Sequence, residues 1–228
     1  MAKTCTQLIS RVKQLIGRSG NVNSTLSIDE IILDALNEAQ VFIVRRIPNI
    51  MELQVKDTAT LDTVTDQYEY DLSDFDPKIA HLMNVWIMDG TSSRRLRYKH
   101  KDDFDKFYPD VSAIAAAMPA YYTRRGNKIE FDCPVSSDYN GKAIRIDYCK
   151  WAAEFTSVDS TEPSELAQAD QGLTLFAWNE ALRVLAKGNT SLLAVANEKK
   201  MLFNEWLDEY ADYHDMQTED LTEEYYGR

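Results

Sequence analysis

The alternation of apolar and polar positions is clearest between Ser27 and Pro48. Apolar residues recur at Ile28, Ile31, Ile32, Ala35, Leu36, Ala39, Phe42 and Ile43, the spacing of one buried face of an α-helix. Ser27, with Glu30 three residues on, predicts a capping box at its start. Arg45 and Arg46 fall in the last turn, where cations suit the negative end of the helix dipole, and Pro48 stops the helix. Asp29, Asp34, Glu38 and Arg45 mark its polar face. Residues 4–17 repeat the pattern at Leu8, Ile9, Val12, Leu15 and Ile16, with Gly17 as the C-terminal stop. The polar stretch 18–26 between them predicts a helical hairpin.

After Pro48 the period shortens. Leu53, Val55 and Thr58–Leu61 predict a strand, and residues 67–72 place Tyr68, Tyr70 and Leu72 on one side of another. Ile79–Met88 runs into Asp89-Gly90, a turn from which Arg94–Tyr98 is expected to return as the hairpin partner. Asp102–Tyr108 predicts one short helix, capped by Asp102 or Asp103, with Phe104 and Phe107 inward. Residues 119–131 read as two strands joined at Gly126-Asn127. Lys142–Trp151 alternates Ile144, Ile146 and Tyr148 with Arg145, Asp147 and Cys149. The middle of the chain is thus expected to be an antiparallel β module of about five to seven strands.

Helical texture returns after the polar linker 155–164. Ser164–Lys187 carries Leu166, Leu173, Phe176, Ala177 and Leu185 and ends before Gly188. Asn189 or Thr190 caps a last helix with Leu192, Leu193, Ala196, Leu202, Phe203, Trp206, Leu207 and Tyr210 as its stripe. The fold class expected is therefore α+β: a helical bundle from both chain ends, an inserted antiparallel β module and a flexible C-terminal tail. The expected divisions are 1–50 for the N-terminal helices, 51–154 for the β-rich module, 155–213 for the linker and C-terminal helices, and 214–228 for an extended tail. Ser27–Pro48 is expected to be the central rod of the bundle. The tail is acidic, lacks a stripe and ends near the pair Tyr225-Tyr226, a composition that orders on a partner.

Composition narrows the function. With 44% hydrophobic and 27% charged residues the chain is ordinary for a globular protein, and no apolar run approaches the roughly 20 residues of a membrane span. MAKTCTQLIS lacks the long apolar region of a signal peptide. Cys5, Cys133 and Cys149 are odd in number and widely spaced, so reduced thiols are expected and neither a disulfide scaffold nor a zinc site. A net charge of −12 argues against wrapping nucleic acid on a large basic face. His81, His100 and His214 have no partner at metal-ligand spacing, and no GxSxG, HExxH, P-loop or GxGxxG occurs. No metal, cofactor or catalytic residue is assigned. Asp71, Asp74 and Asp76, or Asp102, Asp103 and Asp105, offer paired carboxylates for acid–base work, and the first three also a weak match to calcium binding. Their sequences, DLSDFDP and KDDFDK, read better as caps and turns. Arg94, Arg95 and Arg97, with Arg124-Arg125, form a basic strip that suits phosphate contact or, more commonly, a solvated or protected sheet edge.

The order of features carries a resemblance. A capped helix ending in Pro48 is followed by Tyr70-Asp71-Leu72 before a strand with a small turn. Pro119–Tyr122, Gly126, Ile129–Phe131, Pro134 and the Ile144–Tyr148 strand follow, then a Pro-containing linker and two helices. Over roughly residues 10 to 210 this resembles the head-to-tail adaptor (connector) proteins of tailed bacteriophages, especially the tail accessory or tubular proteins of short-tailed phages. The resemblance implies a structural, non-enzymatic virion protein at the head–tail junction, synthesised in the host cytoplasm. It implies a ring of copies, typically dodecameric, with the polar face of Ser27–Pro48 toward solvent or a neighbouring subunit. Its implied partners are the portal protein above and the next tail component, a nozzle or tail tube protein, below. DNA would pass the channel without specific binding, and no membrane is involved. Leu221, Tyr225, Tyr226 and Arg228 are the expected portal-docking residues. The rivals are a glycan-degrading virion enzyme using Asp71 or Asp103, and a ligand-binding β module.

Overall fold

A computed structural model of the chain describes residues 2–17, 27–90, 92–187 and 189–226; of Ser92 and of residues 216–226 it describes the backbone alone. The architecture is α+β and falls into two compact units. One joins Met1–Leu53 to Trp151–Arg228, and the other is the continuous segment Gln54–Lys150.

The helical unit contains α1 (Cys5–Ile16), α2 (Ile28–Arg46), α4 (Asp170–Ala186) and α5 (Thr190–Tyr226). Both N-terminal helices start in complete capping boxes, Thr4 with Gln7 and Ser27 with Glu30. Gly17 ends α1 in the left-handed conformation at φ 65°, as its place in the sequence predicts. The polar stretch 18–26 and Gly188 lie outside the described residues. Along α2, Ile28, Ile32, Ala35, Leu36, Ala39 and Ile43 are buried, joined by Gln40 and Val44, whereas Asp34, Glu38 and Arg45 are exposed.

The rod of this unit is α4, not α2: α4 packs on α1, α2 and α5. The reason lies in its buried residues, which include Gly172, Ala177, Ala181 and Ala186, small enough for several helices to approach one axis. α4 also starts later than Ser164. The Ser164 hydroxyl accepts the Leu166 N–H (3.1 Å) and the Leu166 carbonyl accepts the Ala169 N–H (3.0 Å), so the backbone turns before it coils.

The linker ahead of α4 is strapped down. Asn37 on α2 exchanges hydrogen bonds with the Phe155 backbone, donating to its carbonyl (3.0 Å) and accepting its N–H (2.9 Å). Gln40 donates to the Ala153 carbonyl (3.3 Å). At α1, Thr6 donates to the Ser160 carbonyl and the Lys3 carbonyl accepts the Ser164 N–H. These contacts satisfy the backbone of a segment that has no secondary structure of its own.

The β unit holds eight strands: β1 (Gln54–Asp57), β2 (Glu69–Asp71), β3 (Ile79–Asp89), β4 (Ser92–Arg95), β5 (Arg97–Tyr98), β6 (Tyr121–Arg125), β7 (Lys128–Phe131) and β8 (Ala143–Lys150). One sheet runs β1-β8-β3-β4 and is antiparallel throughout. The other runs β2-β7-β6-β5, antiparallel except for the parallel pair β5–β6. Both sheets feed one core, in which Tyr70, Phe75, Ile87, Phe131, Ile146 and Tyr148 are buried.

Three expectations for this unit are corrected. Thr58–Leu61 does not extend β1, because the Asp57 carboxylate accepts the N–H groups of Ala59 and Thr60 and turns the chain. Arg94–Tyr98 is not one return strand. β4 pairs with β3 up to Arg95, Leu96 sinks into the core, and β5 crosses to the second sheet. The pivot is visible in the bonds: Leu96 N–H donates to the Val85 carbonyl (2.9 Å), then Arg97 N–H to the Ala120 carbonyl (2.9 Å). Finally, α3 (Lys101–Phe107) is capped by His100 rather than by an aspartate, and Phe107 points outward while Phe104 is buried.

Candidate functional site

α5 takes in most of the stretch expected to dock on the portal, and its described faces differ. Ala196, Phe203, Leu207, Tyr210 and His214 are buried at near-heptad spacing, a narrow seam laid along α4. The Phe203 ring lies 5.2 Å from Phe176 of α4 and 5.8 Å from Phe42 of α2, so half-exposed Phe42 belongs to this seam. Trp206 stacks on Tyr210 with centroids 4.8 Å apart. Its ring fits because position 172 is glycine: a Cβ there would lie 2.0 Å from the indole. Leu193 and Leu202, expected in the stripe, are exposed with Val195 and Tyr213.

The other side of α5 is acidic. Glu205, Asp208, Glu209, Asp212 and Asp215 are exposed. From Glu205 to Glu224 the chain carries nine Asp/Glu and no Lys or Arg. The stretch expected as an extended tail continues α5, helical as far as Tyr226. Leu, Met, Gln and Glu are good helix formers, and a preformed helix needs no stripe to propagate. Leu221, Tyr225 and Tyr226 thus sit in the last turns of α5, their side chains outside the described residues, as is Arg228 altogether.

Near the last described side chain, His214 is fully buried beneath Tyr210, rings edge-on at 4.5 Å, with its Nε2 3.9 Å from a Glu52 carboxylate oxygen. Sequence pattern missed this residue because its place in the seam shows only once α5 is known to run on. Burial pushes the His214 imidazole below its ordinary value, against the smaller opposite pull of the Glu52 and Asp215 carboxylates. The folded state therefore prefers neutral His214. Between the ordinary value near 6.5 and the lower folded one, the unfolded chain binds more protons, so stability falls as pH falls. Thermal melting between pH 7 and 5 should show a declining midpoint, and His214→Phe should flatten the decline; equal slopes would rule the linkage out.

Of the candidate carboxylates, Asp71, Asp103 and Asp105 are occupied by nearby groups. Asp71 accepts the Ser73 N–H (2.8 Å), a turn bond that, with help from the Ser73 hydroxyl, holds its carboxyl below the usual range. Asp103 pairs with Lys106 (3.1 Å) within α3. Asp105 pairs with Arg125, whose other face meets the buried Glu130, and this guanidinium lowers the Asp105 carboxyl. No cluster of three metal-ligating side chains occurs among the described residues. All three cysteines are buried thiols, and burial pushes those of Cys5 and Cys133 up to about 11.

No described helix is long and apolar enough to cross a membrane. A search of curated proteins finds no match to the chain. The family model of the SU10 adaptor protein, in contrast, matches residues 3–224, and so takes in both units and nearly all of α5. The chain belongs to the SU10 adaptor protein family.

Proposed function

We propose that this protein is the head-to-tail adaptor of a tailed bacteriophage, a ring of copies beneath the portal that joins capsid to tail and continues the DNA channel. The family match over nearly the whole chain carries this reading. The protein is then a virion component whose work is structural, with the portal protein above, the next tail component below and no catalytic step. Twelve copies are the expected ring.

The form of α5 supports the portal end of the reading. At ~1.5 Å per residue its 37 residues span about 55 Å. The helix continues twelve residues past His214, the last buried position among described side chains, a reach of about 18 Å. On this reading Leu221, Tyr225, Tyr226 and Arg228 dock on the portal, the two tyrosines supplying buried area at little entropic cost. Each docked end binds weakly alone; a ring of them gains by avidity.

Charge supports the channel. Segment Gln54–Lys150 carries fourteen Lys/Arg and sixteen Asp/Glu, so only −2 of the net −12 lies in the β unit and −10 in the helical unit. An acidic helical surface repels the DNA phosphates and lets the duplex slide without sticking.

Deletion of residues 217–228 tests docking. The expected result is heads that package DNA yet lose it and carry no tails. An unchanged yield of tailed, DNA-filled particles would overturn the docking assignment. Negative-stain images of the protein with its portal test the ring itself.

A further inference from the structure

From Ser92 to Lys101 the chain holds five cations, Arg94, Arg95, Arg97, Lys99 and Lys101, and no acid. The fold turns this run into a double edge. β4 is the outer strand of one sheet and β5 of the other, joined through the buried Leu96. With Leu96 held inward, Arg94, Arg95 and Arg97 are all exposed. Neither Arg94 nor Arg97 has a carboxylate partner among the described residues, although the β unit holds sixteen acids. Tyr98, 56% exposed, stands in the same run, and Phe107, 66% exposed at the end of α3, lies beside it, with Lys99 4.4 Å over its ring. Charged side chains keep a sheet edge from aggregating. Five, beside two exposed aromatic rings, make a surface shaped for an anionic partner.

The complementary surface is in the same chain. Glu205, Glu209 and Asp212 share one exposed face of α5 at i, i+4, i+7 spacing, in the stretch that contains no cation. We propose that in the assembled ring the cationic strip Arg94–Lys101 of one copy binds the acidic face Glu205–Asp212 of α5 on a neighbouring copy. The inference rests on the adaptor reading and adds to it a subunit contact. An extended strip meeting a helix face places several charge pairs side by side. Each exposed pair is weak and salt-sensitive, and repetition around a closed ring makes the sum decisive. The net charge of −12 disfavours the other polyanion, DNA, as the ligand.

Charge exchange in the full-length protein tests this. Arg94→Glu with Arg97→Glu, and separately Glu205→Arg with Asp212→Arg, should each weaken ring formation on the order of tenfold by analytical ultracentrifugation, with unchanged circular dichroism. All four substitutions together should restore it. Since the native cysteines are buried, Arg97→Cys with Asp212→Cys should oxidise to disulfide-linked oligomers. Rings from the strip variant equal to wild type, or a fourfold variant that stays weak, would overturn the proposal. So would unchanged rings coupled to lost affinity for a 30-base-pair duplex, which would make phosphate the ligand. If the wild type forms no ring, alone or on its portal, the adaptor reading falls first; if it does and the variants match it, only the strip contact falls.

Discussion

Gly172→Ala should destabilise the helical unit, by about 1–3 kcal/mol, in urea or thermal unfolding. The sign is the informative part. In an exposed helix interior the same change stabilises by roughly 1 kcal/mol, because glycine is the more costly residue there. In α4 the new methyl would meet Trp206, 2.0 Å from Cζ3 and 2.3 Å from Cε3. Stacking holds the indole in place, on Tyr210 at 4.8 Å and on Phe203 at 6.0 Å, and Phe203 in turn meets Phe176 and Phe42. The strain therefore passes into the seam between α4 and α5. A double variant, Gly172→Ala with Trp206→Leu, should cost less than the sum of the two changes, because removing the ring removes the clash. A gain in stability from Gly172→Ala alone would show that the two helices do not approach as described.

Tyr148→Ala should cost the β unit still more, about 3–5 kcal/mol. Tyr148 is 1% exposed on β8, with Phe75 edge-on at 5.7 Å and its hydroxyl donating to the Pro77 carbonyl at 3.2 Å. Truncation removes a ring from the middle of a core fed by both sheets and leaves a cavity that packed strands cannot close. Tyr148→Phe keeps the ring and loses only the hydrogen bond, so about 1 kcal/mol is expected. The two variants thus separate packing from hydrogen bonding at one position. Near-equal losses would place the stabilisation in the hydroxyl. With whole-domain stabilities of roughly 5–15 kcal/mol, the alanine variant is expected to unfold at much lower urea than the phenylalanine one.

How much of this was legible in the sequence follows from where the information lies. The capping box of α2 depends on residues three apart and the stop of α1 on one glycine, so both helices could be read directly, although the Thr4–Gln7 box was not. The β6–β7 hairpin was equally local, with Gly126 at φ 62° between alternating residues. The split of the 92–98 run was not legible, because it depends on Leu96 being drawn into a core built by residues far along the chain. The hub role of α4 was hidden for a related reason. Its small residues look featureless in a pattern that scores size and hydrophobicity, yet they permit the three-way packing. Of the candidate site, the acidity of the C-terminal stretch was plain. Its helical course was not, since an unstriped segment signals helix only through the helix already formed before it. Gln40 and His214 were missed as buried polar groups, because the Ala153 carbonyl and the Glu52 carboxylate that they face lie outside any local window.

The pairing of β1 with β8 has a consequence for how such chains change over generations. Gln54 and Cys149 are opposite one another, so the segment enters and leaves the β unit at neighbouring points, about 5 Å apart. A short turn of a few residues spans that gap. Residues 54–150 are thus a cassette: they can be exchanged for a different module, or lost, by recombination at two sites while the helical scaffold keeps its closure. Outside the Arg94–Lys101 strip, the surface presented by the cassette is free to diverge at a pace of its own.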